Sequence, residues 1–172
     1  MILRLSEKLR AKLKTGASST LPRDKNALAD WSASLFVANR TQYILLSNTA
    51  SFYSTVFFAK GATSNDGQLI TFALKHLREF MEADGLLHAY LEHIAPSSQK
   101  VQFAKAFSRG VTGTMNELIW AATNDLVNYD MSPHDVGLGL NNLLFSSIAS
   151  NPTEKYGRPR DVFQKLMLEL PN

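Results

Sequence analysis

The apolar pattern of this chain changes period partway along, and that change restricts its fold more than any other feature. Trp31, Ala33, Leu35 and Val37 alternate with Ser32, Ser34, Phe36 and Ala38. A period of two puts one face of a strand into a core. Gln42 to Ser47 reads as a second strand, reached through a tight turn at Asn39-Arg40 or Arg40-Thr41. The aromatic and β-branched run 51–59 suits a third strand, with a helix over 49–59 as the alternative. From Leu69 the spacing becomes helical. Leu69, Phe72, Ala73, Leu77, Phe80 and Met81 recur at i, i+3, i+4 and make one amphipathic stripe.

The remaining elements follow from shorter signals. Met1 to Leu5 suits a strand. Ser6 can cap a helix of about residues 7–15, with Leu5, Leu9 and Leu13 as a thin apolar stripe and Gly16 as its left-handed stop. Residues 16–26 read as a loop. Asp84-Gly85 ends or kinks the long helix, and 86–94 suits a short one. Residues 100–107 support a strand and a helix equally. Gly110 and Gly113 suggest a turn ahead of a capping box at Thr114 to Glu117, whose helix buries Met115, Leu118, Ile119, Ala122 and Leu126. Ser132-Pro133 opens a further helix with Val136, Leu140, Leu143, Leu144 and Ile148 inside, closed by Asn151-Pro152. After a basic loop at 152–160, Asp161 caps a last helix. Strands come first and helices later, which predicts a single α+β domain over residues 1–172. Its sheet is mostly antiparallel or mixed, of about four to five strands, packed on helices gathered on one face. The C-terminal half is helix-rich.

Charge is distributed unevenly. Residues 1–25 carry seven basic and two acidic groups, a net +5, which leaves −2 for the rest of a chain whose total is +3. Arg4, Lys8, Arg10, Lys12 and Lys14 lie on or beside the first helix, and Arg158 and Arg160 in the basic loop would extend the same patch. Such a surface fits an anionic partner, nucleic acid above others, through release of counterions. The competing reading is a solubilising face. The absence of cysteine excludes disulfides and thiolate metal sites and points to a reducing compartment, the cytoplasm. No apolar run approaches the length of a membrane span.

Familiar catalytic signatures are missing. There is no Gly-x-Ser-x-Gly elbow, no phosphate-binding Gly-x4-Gly-Lys-Ser/Thr, no dinucleotide fingerprint and no His-Glu-x-x-His. His88 and Glu92 sit one helical turn apart without a third metal ligand. His76 borders the long helix's stripe, and His134 falls in a first turn. Glu79 and Glu82 beside Lys75 and Arg78 read as a salt-bridged face. Arg109 and the start of the Asn116-Glu117 helix could meet an anion, but Glu117 favours a capping role. These absences weigh against an enzyme, and no catalytic residue, metal or cofactor is called for. Trp31, beside Asp30 at a strand start, is expected in the core. The alternative is a partner surface shared with Arg40 and the aromatic meander from Phe52 to Phe58, which would make the protein an interaction module or a homo-oligomer. An enzyme of unrecognised type, with His76 or His88 as acid–base groups, is the third reading.

Several short motifs occur together: Met1-Ile2-Leu3-Arg4-Leu5-Ser6-Glu7-Lys8-Leu9, Asp30-Trp31, Leu35-Phe36, Arg40 before a strand ending Ser47-Asn48, and Gly113-Thr114-Met115-Asn116-Glu117-Leu118. The chain resembles in these a bacterial and archaeal family of uncharacterised proteins of about this length, a domain of unknown function. It departs from the family pattern at Ser34 and at Arg40-Thr41. The resemblance implies a stand-alone prokaryotic cytosolic domain and carries no activity or ligand.

Overall fold

The computed structural model describes residues 1–16, 19–149 and 155–170. The Asn151-Pro152 stop and the first part of the basic loop lie outside these residues. Five strands form one mixed sheet in the order β4-β3-β2-β1-β5. They are β1 (Ile2–Leu5), β2 (Asp30–Ala38), β3 (Thr41–Asn48), β4 (Ser54–Phe58) and β5 (Gln102–Lys105). β1 is parallel to both its neighbours, pairing Ile2 with Asp30 on one side and with Gln102 on the other. β2, β3 and β4 make the antiparallel meander that the period-two pattern announces. Asn39 and Arg40, both at positive φ (44° and 65°), form the two-residue hairpin turn. Such a turn has the twist that neighbouring strands need. The ambiguous segment 100–107 resolves as strand, because it completes the second edge of β1.

The helices are α1 (Glu7–Leu13), α2 (Asp66–Ala83), α3 (Leu87–Ala89), α4 (Arg109–Asn128), α5 (Pro133–Leu140) and α6 (Pro159–Glu169). α3 runs on as a π-helical turn, Tyr90–Ile94. They cover both faces of the sheet, not one. Leu3, Leu5, Trp31, Leu35, Ile44 and Phe57 point into one core with α1, α2 and α6. Phe36, Ala38, Tyr43, Leu45 and Val56 point the other way, under α4 and α5. The alternation along each strand therefore separates two apolar sets, and each needs its own helical layer.

Four helix ends differ from the local signals. α6 starts at Pro159 with Arg158 at the cap position, so Asp161 lies in its first turn and does not cap it. α1 stops with Lys14, not Gly16, in the left-handed region (φ 56°). α4 starts at Arg109, ahead of the Thr114 box. Ser108 caps it by accepting from the Val111 amide at 3.2 Å, so Gly110 and Gly113 lie inside the helix. Each glycine costs about 1 kcal/mol there relative to alanine. The cap and the burial of Val111 and Met115 offset that cost. α5 ends at Leu140 because the next residue is engaged elsewhere. Asn141 donates to Ser54 O (2.9 Å) and accepts from Ser54 N (2.7 Å), closing part of the free edge of β4. Leu143 and Leu144 are accordingly exposed, and Ile148 is buried from a short 3-10 turn.

Candidate functional site

β1 and β5 run side by side in the same direction, and their chains leave toward opposite faces of the sheet. After Leu5, Ser6 caps α1 by accepting from the Leu9 amide (3.3 Å), and α1 packs on the Trp31 side. After Lys105, the chain turns through Ala106 and Phe107 to Ser108 and enters α4 on the other side. Two adjacent parallel strands that part in this way leave a crevice beyond their carboxyl ends. Ligands of open α/β sheets bind in such crevices. A cavity of about 300 Å³ lies there, between the ends of β1 and β2 and the first turns of α4. Its polar lining is Arg4, Ser6, Glu7, Ser32, Ser34, Thr112 and Asn116, and Ala33, Ala106, Val111 and Met115 supply the apolar part. Ala106, Thr112 and Asn116 also line a shallow groove that reaches Ser108 and Arg109.

Arg4 forms the floor of this cavity and is no surface cation. Its side chain is fully buried. Nε donates to Asp30 Oδ1 and Nη2 to Oδ2, each at 2.7 Å. The same guanidinium donates to the carbonyls of Leu21 (3.0 Å) and Pro22 (2.7 Å). It thereby ties the segment after α1 to the sheet. Its charge is spent on Asp30, which corrects the expectation that Arg4 meets an external anion. Phe107 lies between Arg4 and Arg23, 4.8 Å from each guanidinium carbon. Arg109 is exposed in the adjoining groove, and Glu7 is the one acidic side chain in the lining.

The other expected residues are scattered. Lys8, Lys12 and Lys14 are exposed, without an ion pair among the described residues. Arg10 is half-buried. Arg158 is exposed at the start of α6. Arg160 is half-buried against Asp84, with Nε 3.0 and 3.1 Å from the two carboxylate oxygens, and that bond raises its pKa above the ordinary value. The two basic segments do not merge. Thr15, just past α1, bonds Asp66 at the start of α2, whereas Arg160 bonds Asp84 at its far end. Eighteen helical residues separate these points by roughly 27 Å. Trp31 is fully buried and donates to Leu28 O at 2.7 Å, so it belongs to the core and offers no partner surface. Arg40 is exposed at the hairpin tip. Of the meander aromatics from Phe52 to Phe58, only Phe58 is exposed; the tryptophan on the surface is Trp120, on the outer side of α4.

His88 and Glu92 pair on the surface at 3.0 Å. Among the described residues no three histidine or carboxylate side chains are placed to hold a metal, and no helix is long and apolar enough to cross a membrane. His76 is half-buried and stacks on Phe57 with 4.6 Å between ring centroids. Burial lowers its pKa below the ordinary 6.5; Glu79 opposes the shift and Lys75 adds to it. A histidine held neutral in the folded state lets the unfolded chain bind more protons on acidification. Stability is therefore expected to fall as the pH drops below about 6.5 and to level off below the native pKa. Urea midpoints for the parent and His76→Phe between pH 7.5 and 5 check this, and the variant is expected to show the shallower decline.

The crevice was not readable in advance as a site. Ser6, Asn116 and Arg109 carry capping or helix-start signals, but Ser32, Ser34 and Thr112 look like ordinary strand and helix positions. They become a lining only once β1, β2, β5 and α4 are brought together. No curated protein matches the sequence. Residues 2–162 match a family described only as a domain of unknown function, DUF6933, which agrees with the resemblance carried by the N-terminal, Asp30-Trp31 and Gly113–Leu118 motifs. With nearly its whole length matched, the chain belongs to that family, DUF6933.

Proposed function

We propose that the protein is a non-enzymatic binding protein that takes a small, polar, anionic ligand in the crevice beyond β1 and β5. The observation that carries this reading is the cavity itself. It sits where two parallel strands part, and its lining offers the Ser6 and Ser34 hydroxyls and the Asn116 amide as donors, whereas the Thr112 hydroxyl already donates to Ser108 O (3.1 Å) and Ser32 is paired with Thr49 (2.9 Å). Arg109, in the groove that continues the cavity past Thr112 and Asn116, gives the approach a positive charge that favours anions. The buried Arg4–Asp30 pair fixes the floor, so the lining is held before any ligand arrives.

A ¹⁵N–¹H titration at low salt, with inorganic phosphate and AMP as probes, tests the proposal. The amides of Ser6, Ser34, Thr112 and Asn116 are expected to shift saturably. The double substitution Ser34→Ala/Asn116→Leu is expected to weaken binding at least about tenfold, since each hydrogen bond lost to a charged group is worth about 1.5–3 kcal/mol. Absence of shifts at these amides overturns the reading. A duplex oligonucleotide that moves only the amides of residues 8–14 would transfer function to α1, where Lys8 and Lys12 stand one turn apart on an exposed flank.

A further inference from the structure

We infer that a second cleft, at the outer edge of β4, is a binding site for an organic ammonium cation. This site is independent of the anion crevice. The cleft encloses about 260 Å³ between β4, α2 and the start of α5. Its lining includes Phe57, Phe58, Phe80, His76, His134 and Glu79. No lysine or arginine belongs to that lining, so Glu79 is its one permanently charged side chain.

Aromatic rings carry a negative face that attracts cations, and quaternary ammonium groups are recognised by several rings set around one carboxylate or carbonyl-rich wall. Phe57 and Phe80 are buried and back the two rings that reach the cleft: His76 stacks on Phe57, and His134 meets Phe80 edge to face at 5.3 Å. Phe58 is half-exposed at the rim, its ring against Tyr43. Burial lowers the pKa of His76 and so favours its uncharged ring. The sheet edge contributes as well. Ser54 turns its backbone groups away from β3, toward Asn141. By strand alternation Val56 and Phe58 turn theirs the same way. Their carbonyl oxygens and amide hydrogens therefore both point out at the free edge of β4, where the carbonyls can meet a cation.

Three features could oppose a cation, and none is strong. His76 Nδ1 lies 3.7 Å from Glu79 Oε2, too far for a hydrogen bond. Lys75 stands 3.9 Å from Glu79, but both side chains are more than half exposed, and such a pair is readily exchanged. The positive end of the α5 dipole is offset by Asp135, which accepts from the Ser132 hydroxyl at 2.7 Å.

The test compares choline with its uncharged isostere 3,3-dimethylbutan-1-ol, at constant ionic strength, by following the ring proton resonances of His76, His134 and Phe58. Choline is expected to shift them saturably, with the neutral isostere at least about tenfold weaker. Glu79→Gln and Phe58→Ala, both at exposed positions, are each expected to weaken choline binding by about fivefold without loss of fold. Equal binding of the two compounds overturns the proposal. So does unchanged choline affinity in Glu79→Gln, or the absence of saturable shifts up to about 100 mM, beyond the range of useful cation–π recognition.

Discussion

Arg4→Met is expected to cost about 3–5 kcal/mol of folding stability, measured as a fall in the urea midpoint. Domains of this kind have a total of about 5–15 kcal/mol, so the variant would sit close to the unfolding threshold. The cost comes from what the substitution leaves behind. Asp30 is 1% exposed and would remain as a buried charge without its partner, while the Leu21 and Pro22 carbonyls would lose their donor. The double variant Arg4→Met/Asp30→Leu separates charge from packing. It removes the stranded carboxylate, so its loss is expected to shrink to about 1–3 kcal/mol, the cost of leaving the Leu21 and Pro22 carbonyls and the Asp24 amide unpaired. A double variant as unstable as the single one would show that the arginine acts through its volume. Arg4→Lys should not rescue, because an ammonium cannot bridge both carboxylate oxygens in one plane. Since Arg4 also floors the cavity, hydrogen exchange in the Leu21–Arg23 segment should accelerate in each single variant.

Phe163→Ala should have an effect of similar size, about 3–5 kcal/mol, for a different reason. The ring is completely buried. It stacks on Tyr53 at 4.5 Å and lies 6.0 Å from Trp31. Its removal opens a void bounded by two large aromatics that cannot collapse into it. Tyr53 is held on its other side by its hydroxyl bond to Asp84, and Asp84 is held by Arg160. The two tryptophans provide the readout. Trp31 is inaccessible and Trp120 is 75% exposed, so acrylamide is expected to quench only Trp120 in the parent. In Phe163→Ala, Trp31 should become quenchable at urea concentrations that leave α4 helical. An unchanged quenching profile would mean that α6 does not shield the Trp31 core.

How far the fold could be read depended on whether a signal was local. The alternation from Trp31 to Ala38, the stripe from Leu69 to Met81 and the Ser132-Pro133 start are each complete within about one element, and each appears as expected. The uncharacterised family and the α+β class were likewise legible. Arg4 was misread because its flanking basic residues are solvated, and nothing near it in the chain shows that Asp30 waits on the neighbouring strand. The start of α4 was placed too late because two glycines outweighed a single serine cap. The second helical layer was missed since a strand such as β3, Tyr43-Ile44-Leu45-Leu46, shows only that both its faces are buried, not what buries them. The crevice and the aromatic cleft are both products of sheet order, which no local pattern encodes.

The position of β1, between β2 and the edge strand β5, also bears on how the chain folds as it is made. Ile2–Leu5 is synthesised about 100 residues before Gln102–Lys105, which fills one of its two hydrogen-bonding edges. A parallel pairing so distant in sequence must close a long loop before any contact compensates, which slows folding and raises the contact order. Until then the nascent sheet ends on an open edge of apolar residues, the kind that invites pairing with another chain. Escape from aggregation during synthesis should therefore depend on how fast residues beyond Lys105 clear the ribosome, rather than on the stability of the finished protein.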